Sequence, residues 1–510
     1  MRAMEASTTP KTEDQVGRDV YDWRETEASP VIEFKPDWES LEHYTCPDWF
    51  RDAKLGIFLH WGPGSVAAVD DWYGRNMYIQ GHAAYEYHTK TFGHPSAFGF
   101  KDLIPLWKAE RFDPDALIGA FREAGARYIV PVAAFHDNYD LWDSKHQRWN
   151  SLNVGPRMDI CRMWKEAAEK HGLRFGVSTH MDRVPSWFNT SRGSDATGPL
   201  AGVPYDGRDP ANADLYGPEN DEDPNWPYLP KNAPESWKET WYLRNLDLID
   251  TYRPDLLYFD GGIPYVEHGL RLVSRFYNEN QRWHDGRLEA VLNLKKTRVS
   301  GAYREGVCVQ DLERSKLEGI KAEPWQTDTS IGTWFCRKNA TYARPNAIID
   351  MFVDIVSKNG NLLLNIPLMA DGTLDAGEQQ FLAEMSRWTK VNGEAIFGTR
   401  PWRVFGEGPT SVKEEYAEEI KESFTSKDIR FTTRGDILFA FFLDWPADGT
   451  VTIAELGTDA APEEIADVRL LGHSGRLAWN RHASALEVVL PDEKPCEHAF
   501  AFRVLLRNRR

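Results

Sequence analysis

The chain has 510 residues, 41% of them hydrophobic and 27% charged, and a formal net charge of −18. That balance belongs to a folded globular protein and excludes global disorder. The negative sign repels phosphate backbones and anionic lipid heads, and no Lys/Arg cluster overrides it, so neither nucleic acid nor a membrane is expected as a partner.

Residues 1–40 are polar and acidic, rich in Thr, Glu and Pro, which predicts a flexible lead-in. The first residues, MRAMEASTTPKTEDQ, hold no apolar h-region. The expected location is therefore cytoplasmic, or periplasmic or secreted where a signal has been removed. No apolar run approaches the ~20 residues that span a bilayer. The cysteines, Cys46, Cys161, Cys308, Cys336 and Cys496, are odd in number and scattered, without a CxxC pair. That pattern speaks against a disulfide framework and a thiolate metal site.

Eight short apolar runs follow, at 55–60, 127–135, 173–180, 255–260, 288–293, 307–312, 325–331 and 361–366. Helical patterns occupy 115–126, 158–171, 234–252, 268–283, 346–358 and 376–391. Near-continuous apolar strands separated by helices signal parallel strands buried on both faces. Eight such units predict an α/β fold, a (β/α)8-type barrel over residues 41–398. No helical pattern separates the sixth and seventh runs, so the barrel is expected to be irregular there. Residues 182–233, after the third run, are rich in Pro, Gly and Asp and lack a period. They predict a long insert, a surface excursion over the barrel mouth. Past residue 399 seven short strand-like runs, at 401–405, 429–433, 437–443, 450–453, 468–471, 486–490 and 500–506, predict a C-terminal antiparallel β-sandwich over 399–510.

Barrel enzymes carry their chemistry at the C-terminal ends of the strands. This sequence places His60, His136 with Asp137, His180, Asp260, Lys295, Asp311 and Glu313 there, each after an apolar run. Any one of them is equally well read as a satisfied strand-end polar residue; their shared rim favours a site. Asp260 stands out because two glycines, Gly261 and Gly262, follow it and leave room beside the carboxylate. Two chemistries fit the set. His60, His136, His180 and Asp260 offer imidazoles and a carboxylate to a divalent ion, although no HxH or HExxH spacing supports this. Neutral imidazoles around an uncharged polyhydroxyl ligand need no such spacing, since each donates or accepts one hydrogen bond. The 20 Trp, 19 Tyr and 25 Phe suit sugar-stacking clefts as well as large cores.

Longer motifs carry a resemblance. Leu55-Gly56-Ile57-Phe58-Leu59-His60-Trp61-Gly62-Pro63-Gly64-Ser65-Val66 resembles the opening signature of the α-L-fucosidases of glycoside hydrolase family 29. Asp71-Trp72-Tyr73 with Asn76-Met77-Tyr78 is similar to the next motif, and Leu141-Trp142-Asp143-Ser144 with Trp149-Asn150-Ser151 to a third. Residues 254–262, ending Tyr258-Phe259-Asp260-Gly261-Gly262, resemble the nucleophile motif. Residues 354–366 with Asp371-Gly372-Thr373 resemble the late barrel motif. The resemblance runs from about residue 45 to 405. It implies a barrel followed by a β-sandwich, and retaining exo-hydrolysis of α-L-fucosides on fucosylated oligosaccharides or glycoconjugates without a metal or cofactor.

Carried over by position, the resemblance makes Asp260 the nucleophile and sets His60, Asp71, Trp72 and His136 around the fucose, with His180 on the same rim. Trp72, and with it Trp61 or Tyr258, would stack on the sugar. Three departures stand out. A single histidine occurs in Phe135-His136-Asp137 where the family has two. Asp71 stands where Glu is common. Asn293-Leu294-Lys295-Lys296-Thr297 puts Lys295 in place of a sugar-binding arginine, a point charge without bidentate geometry. The acid/base residue is poorly marked. Glu313, in Gln310-Asp311-Leu312-Glu313-Arg314, has the placement for it, with Asp311, Glu305 and Glu323 as rivals, while Trp325-Gln326 excludes a Trp-Glu alternative. Two other classes remain: a metal-dependent barrel hydrolase using His60, His136 and His180, and a non-catalytic sugar binder.

Overall fold

The computed structural model describes residues 31–220, 223–412 and 424–507. Eight parallel strands close into a barrel in chain order. They are β1 Leu55–Leu59, β2 Tyr128–Ala134, β3 Arg174–Thr179, β4 Leu256–Phe259, β5 Val291–Lys295, β6 Val309–Asp311, β7 Trp325–Ser330 and β8 Gly360–Asn365. All eight apolar runs therefore become barrel strands, and β8 pairs back onto β1 with Leu55 opposite Leu362. Most strand residues are buried because the barrel has two apolar surroundings. Phe58, Tyr128, Val130, Val132, Leu256, Tyr258 and Leu363 fill the interior. Ile57, Leu59, Ile129, Phe259 and Leu364 face the surrounding helices. Gly56 has a packing reason: a Cβ there would meet the Tyr128 ring at 2.2 Å.

The helices Pro114–Glu123, Ile160–Lys170, Glu235–Tyr252, Val266–Trp283, Pro345–Ser357 and Ala376–Asn392 match the six helical patterns to within a few residues. Neither the β5–β6 nor the β6–β7 connection holds a helix. The β1–β2 connection holds three short ones, Tyr73–Asn76, Ala83–Thr91 and Phe100–Leu103, which lack a long apolar period and escaped the sequence reading.

Two expectations change. The described part of the lead-in, 31–40, is packed down; residues 1–30 lie outside the described residues. Phe34 and the following Leu41 are buried. Gln281 and Asn278 on the helix Val266–Trp283 exchange amide hydrogen bonds with the backbones of Ile32 and Phe34. The 182–233 segment is no mere surface excursion. It contains 3-10 and short α-helical turns, and Val184, Trp187, Phe188, Tyr205, Leu215 and Tyr216 are buried. Asp206 accepts hydrogen bonds from Tyr216 and, at 2.7 Å, from Tyr78 of the β1–β2 connection, so the two excursions lock together. Its polar, turn-rich composition hides these anchors. Shortening the segment would remove core side chains, so it is expected to lower the melting temperature.

After the barrel come β9 Arg400–Glu407, β10 Ile429–Arg434, β11 Ile437–Phe442, β12 Thr450–Ile453, β13 Glu464–Leu470, β14 Trp479–Arg481, β15 Leu486–Val489 and β16 Phe500–Arg507. They form a five-stranded sheet in the order β13-β16-β11-β10-β9 and a three-stranded sheet in the order β12-β15-β14. All paired neighbours are antiparallel. Only β14 was not read from the sequence, since its residues are mostly exposed. Phe431, Phe442 and Phe502 fill the space between the sheets. Phe439 and Phe441 belong to the core shared with the barrel. The larger sheet is thus covered on both faces. Arg430 pairs with Asp354 of the helix Pro345–Ser357 at 2.6 Å, both buried. Among the described residues all five cysteines are free, and no helix is long and apolar enough to cross a membrane.

Candidate active site

A cavity of about 340 Å³ opens at the C-terminal ends of the strands. His60, His136, His180, Asp260, Lys295 and Glu313 line it from five different strand ends and the turn after β6, and Asp71 and Trp72 reach in from the β1–β2 connection.

Asp260 follows β4. Its Oδ1 accepts a hydrogen bond from Lys295 Nζ at 2.9 Å and its Oδ2 accepts one from Arg183 Nη2 at 2.9 Å. Burial alone would raise this carboxyl, but Lys295 and then Arg183 outweigh it and hold Asp260 well below the usual carboxylate range. The trailing glycines serve a different purpose from the one read in the sequence. The β4 loop is laced to the β5–β6 loop through Gly262 N–H to Ser300 O at 2.6 Å, and Ile263 N–H to Ala302 O at 2.7 Å. A Cβ on Gly262 would meet Ala302 O at 2.5 Å. Glycine allows this close approach of two backbones.

Lys295 ends β5 and touches three carboxylates: Asp260 and Glu313 at 2.9 Å each and Asp328 of β7 at 3.1 Å. Burial works against its charge, but these partners more than compensate and raise its pKa well above the ordinary lysine value. The shared Nζ also fixes a spacing. The bound oxygens of Asp260 and Glu313 can lie no further apart than twice 2.9 Å, or 5.8 Å.

Glu313 follows β6, and the next residue, Arg314, adopts φ +46°, so the chain turns away just past it. Lys295 pulls its pKa down, but burial together with the charges of Asp328 and Asp260 outweighs that pull and leaves it raised. The rivals do not reach the cavity. The Glu305 side chain is 67% exposed and faces Lys321, and Glu323 is exposed. Asp311 is buried beneath the cavity, where it accepts a hydrogen bond from Gln326; burial, then the Asp328 charge, raises its pKa strongly.

The histidines are neutral acceptors. His60 Nδ1 donates to Asn365 Oδ1 at 2.8 Å, because the Asn365 amide nitrogen is already donating to Ser330 and Trp334. That assignment leaves Nε2 as an acceptor. His136 Nδ1 donates to His180 O at 2.7 Å, so its Nε2, 3.6 Å from Asp260 Oδ2, carries a lone pair. His180 Nε2 lies 2.7 Å from Ser178 Oγ, which itself donates to Tyr258 O; its Nδ1 has no partner. Burial lowers the pKa of His60 to about 4 and, with Arg183 adding to the effect, that of His136 to about 3, and pushes His180 down as well. Asp71 accepts from the backbone N–H groups of Trp334 and Phe335, both at 3.3 Å, and pairs with Arg337. Trp72 stands edge-on to Trp187 with ring centroids 4.8 Å apart.

Two sequence readings are corrected. Tyr258 is fully buried and does not line the cavity; its hydroxyl donates to Asp328 Oδ2 at 3.1 Å, one layer beneath. Trp61 faces away, with its indole N–H on Met369 O and its ring against Trp107 and Phe112. Arg183, Asp328, Trp334 and Tyr228 also line the cavity and were not picked out from sequence. Arg183, Trp334 and Tyr228 sit in connections without periodicity. Asp328 interrupts a strand whose polar residues, Gln326 to Ser330, break the apolar signal. Of the metal set, His136, His180 and Asp260 bring ligand atoms within 4.8 Å of one another, without His60. Asp260 already carries two cationic partners, Lys295 and Arg183, and their charge opposes a dication at that position.

Comparison with known proteins gives one answer across the chain. The family model described as alpha-L-fucosidase matches residues 23–394, and that of the alpha-L-fucosidase C-terminal domain matches 421–505. The tissue alpha-L-fucosidase of Mus musculus is 28% identical over 492 residues, covering 93% of this chain and 95% of that protein. The tissue alpha-L-fucosidase of Homo sapiens is 26% identical over 492 residues, covering 94% and 93%. Among solved structures, the Thermotoga maritima alpha-fucosidase in complex with fucose superimposes with a TM-score of 0.70 at 26% identity. It covers 92% of this chain and 100% of its own.

Proposed function

Since the chain belongs to the α-L-fucosidase family, we propose that its own residues release α-L-fucose from fucosylated glycans by a double displacement in which Asp260 and Glu313 are the working pair. The observation that carries this reading is the Lys295 bridge. A retaining glycosidase holds its two carboxyl groups about 5–5.5 Å apart, and an inverting one needs about 6.5–9.5 Å to admit a water. The shared ammonium keeps the facing oxygens of Asp260 and Glu313 within 5.8 Å of one another, a close approach that supports the retaining geometry.

The electrostatics divide the roles. Asp260, held low, is ionised and attacks the anomeric carbon from the β face. Glu313, held high, gives its proton to the glycosidic oxygen as the bond to the leaving group breaks. The product of this step is a fucosyl ester of Asp260. The Glu313 carboxylate then takes a proton from water, the hydroxide oxygen bonds to the anomeric carbon, and the Asp260 carboxylate departs. His60 and His136, neutral and with exposed lone pairs, accept hydrogen bonds from sugar hydroxyls. Asp71 does the same, and Trp72 and Trp334 offer aromatic faces to the C–H side of the ring.

The test is turnover of an aryl α-L-fucoside followed by NMR, beside the aryl galactoside and arabinoside analogues. α-L-Fucose is expected as the first product. Release of the β anomer first, or faster turnover of an analogue, would refute the reading.

Lys295 supports a second measurement. The pH profile of kcat/KM should fall on the acid side as Asp260 protonates and on the alkaline side as Glu313 loses its proton. Lys295 lowers both carboxyls, so Lys295→Met should move both limbs to higher pH, together with a loss of rate. Unmoved limbs would show that Lys295 does not govern the pair.

A further inference from the structure

Beneath the catalytic pair the barrel interior turns polar. Asp311 of β6 and Asp328 of β7 are both buried there, and their carboxyl groups come within hydrogen-bonding reach of each other. Neither takes part in making or breaking the glycosidic bond. Two ionised carboxylates at that range would repel each other with no donor between them.

The donors around the pair can be counted. An arginine at position 295 would bring five N–H donors; Lys295 brings three. Asp260, Glu313 and Asp328 take all three, at 2.9, 2.9 and 3.1 Å. Asp311 lies opposite Lys295 in the register of β5 and β6, yet no N–H of the ammonium remains for it. The donor it has is neutral: Gln326 Nε2 donates to Asp311 Oδ2, and the Tyr128 hydroxyl orients that amide by donating to its Oε1 at 2.9 Å. Asp328 is placed differently, since its Oδ2 accepts from the Tyr258 hydroxyl and from the Lys295 ammonium, both at 3.1 Å. Oδ1 of each residue is buried and takes no hydrogen bond from a donor among the described residues.

A single proton on Asp311 satisfies this arrangement. It bridges the two carboxyl groups and leaves the charge on Asp328, where the ammonium faces it. Burial and then the Asp328 charge hold that proton on Asp311 far above the usual carboxyl range. The titratable groups facing the pair are Lys295, Tyr258 and Tyr128, with Asp260 and Glu313 beyond Lys295. The neighbouring strands β1, β3 and β8 bring Phe58, Ser178 and Leu363, none of which titrates.

We propose that Asp311 is a positioning residue that works as a neutral acid: it donates a hydrogen bond to Asp328, fixes that carboxylate against Lys295, and so places the ammonium that joins Asp260 to Glu313. This rests on the fucosidase reading and adds to it a second carboxyl pair, sharing one proton, beneath the first.

Substitutions at Asp311 distinguish a neutral acid from a carboxylate. Asparagine copies the protonated form, because its carbonyl accepts from Gln326 and its amide donates to Asp328. Leucine keeps the shape and donates nothing. Asp311→Leu is expected to lose about 30-fold in kcat/KM as Lys295 loosens. Both limbs of its pH profile should move to higher pH, since a loosened Lys295 lowers Asp260 and Glu313 less. Asp311→Asn should rescue the rate to within about threefold of wild type and return both limbs to their places. The wild-type-minus-Asp311→Asn infrared difference spectrum at neutral pH should show the carbonyl band of one protonated carboxylic acid. That readout needs no turnover, and it carries the test where Asp311→Leu fails to fold. An Asp311→Asn variant as impaired as Asp311→Leu, or with displaced limbs, would show that Asp311 works as a carboxylate and overturn the proposal. So would a difference spectrum without the acid band, or an Asp311→Leu variant with wild-type kinetics. Wild type that shows the band but leaves aryl α-L-fucoside untouched would instead contradict the fucosidase reading, so the two failures are distinct.

Discussion

Asp260→Gly is expected to lower kcat by about 10⁴-fold or more, and azide is expected to restore part of the rate with a β-fucosyl azide as product. The structure supplies the reason for the rescue. Removing the carboxylate leaves the Lys295 ammonium and the Arg183 guanidinium facing an empty space. A small anion is drawn to that space and meets the anomeric carbon from the face the carboxylate had used. The Asp260 carbonyl still accepts from Arg183, so the backbone keeps its tether. The anomer of the azide is read by NMR, and the rate by aryl α-L-fucoside hydrolysis. Activity near that of wild type would remove Asp260 from the nucleophile's role.

Glu313→Ala is expected to lose about 10²–10⁴-fold on substrates with poor leaving groups, and far less on dinitrophenyl fucosides, which depart without a proton. Its alkaline limb should vanish, since the group whose deprotonation sets it is gone. Azide should again accelerate turnover, but here it attacks the fucosyl ester in place of activated water and gives the α-azide. The two variants thus yield opposite anomers, and the pair of products identifies each carboxyl independently. An equal loss on good and poor leaving groups would show that Glu313 is not the proton donor. Asp311, the nearest rival in sequence, lies beneath the cavity and cannot take over.

The barrel was legible because most of its strands are buried on both faces and so write near-continuous apolar runs into the sequence, β7 with its polar Gln326–Ser330 being the exception, and because the chemistry collects at their ends. Asp260, Lys295 and Glu313 were found that way. What escaped had no periodic signature. Arg183 and Tyr228 lie in a segment whose composition reads as loop, although Trp187, Phe188 and Tyr216 anchor it. Tyr258 illustrates a different limit. It lies two residues before Asp260 and so points into the same barrel, but one layer deeper. Alternation gives the face of a strand and not the depth along it. There Tyr258 steadies Asp328, which in turn holds Lys295.

The lacing of the nucleophile loop to the segment around Ser300–Ala302 bears on how such an enzyme changes over evolutionary time or in the laboratory. An insertion or deletion in the β5–β6 loop would pull on Gly262, two residues from the attacking oxygen, so length variation there trades directly against rate. Side-chain exchanges at Thr297 or Val299 leave the backbone seam intact. Libraries on this loop should therefore vary residue identity at fixed length, and longer loops should be grafted elsewhere on the rim.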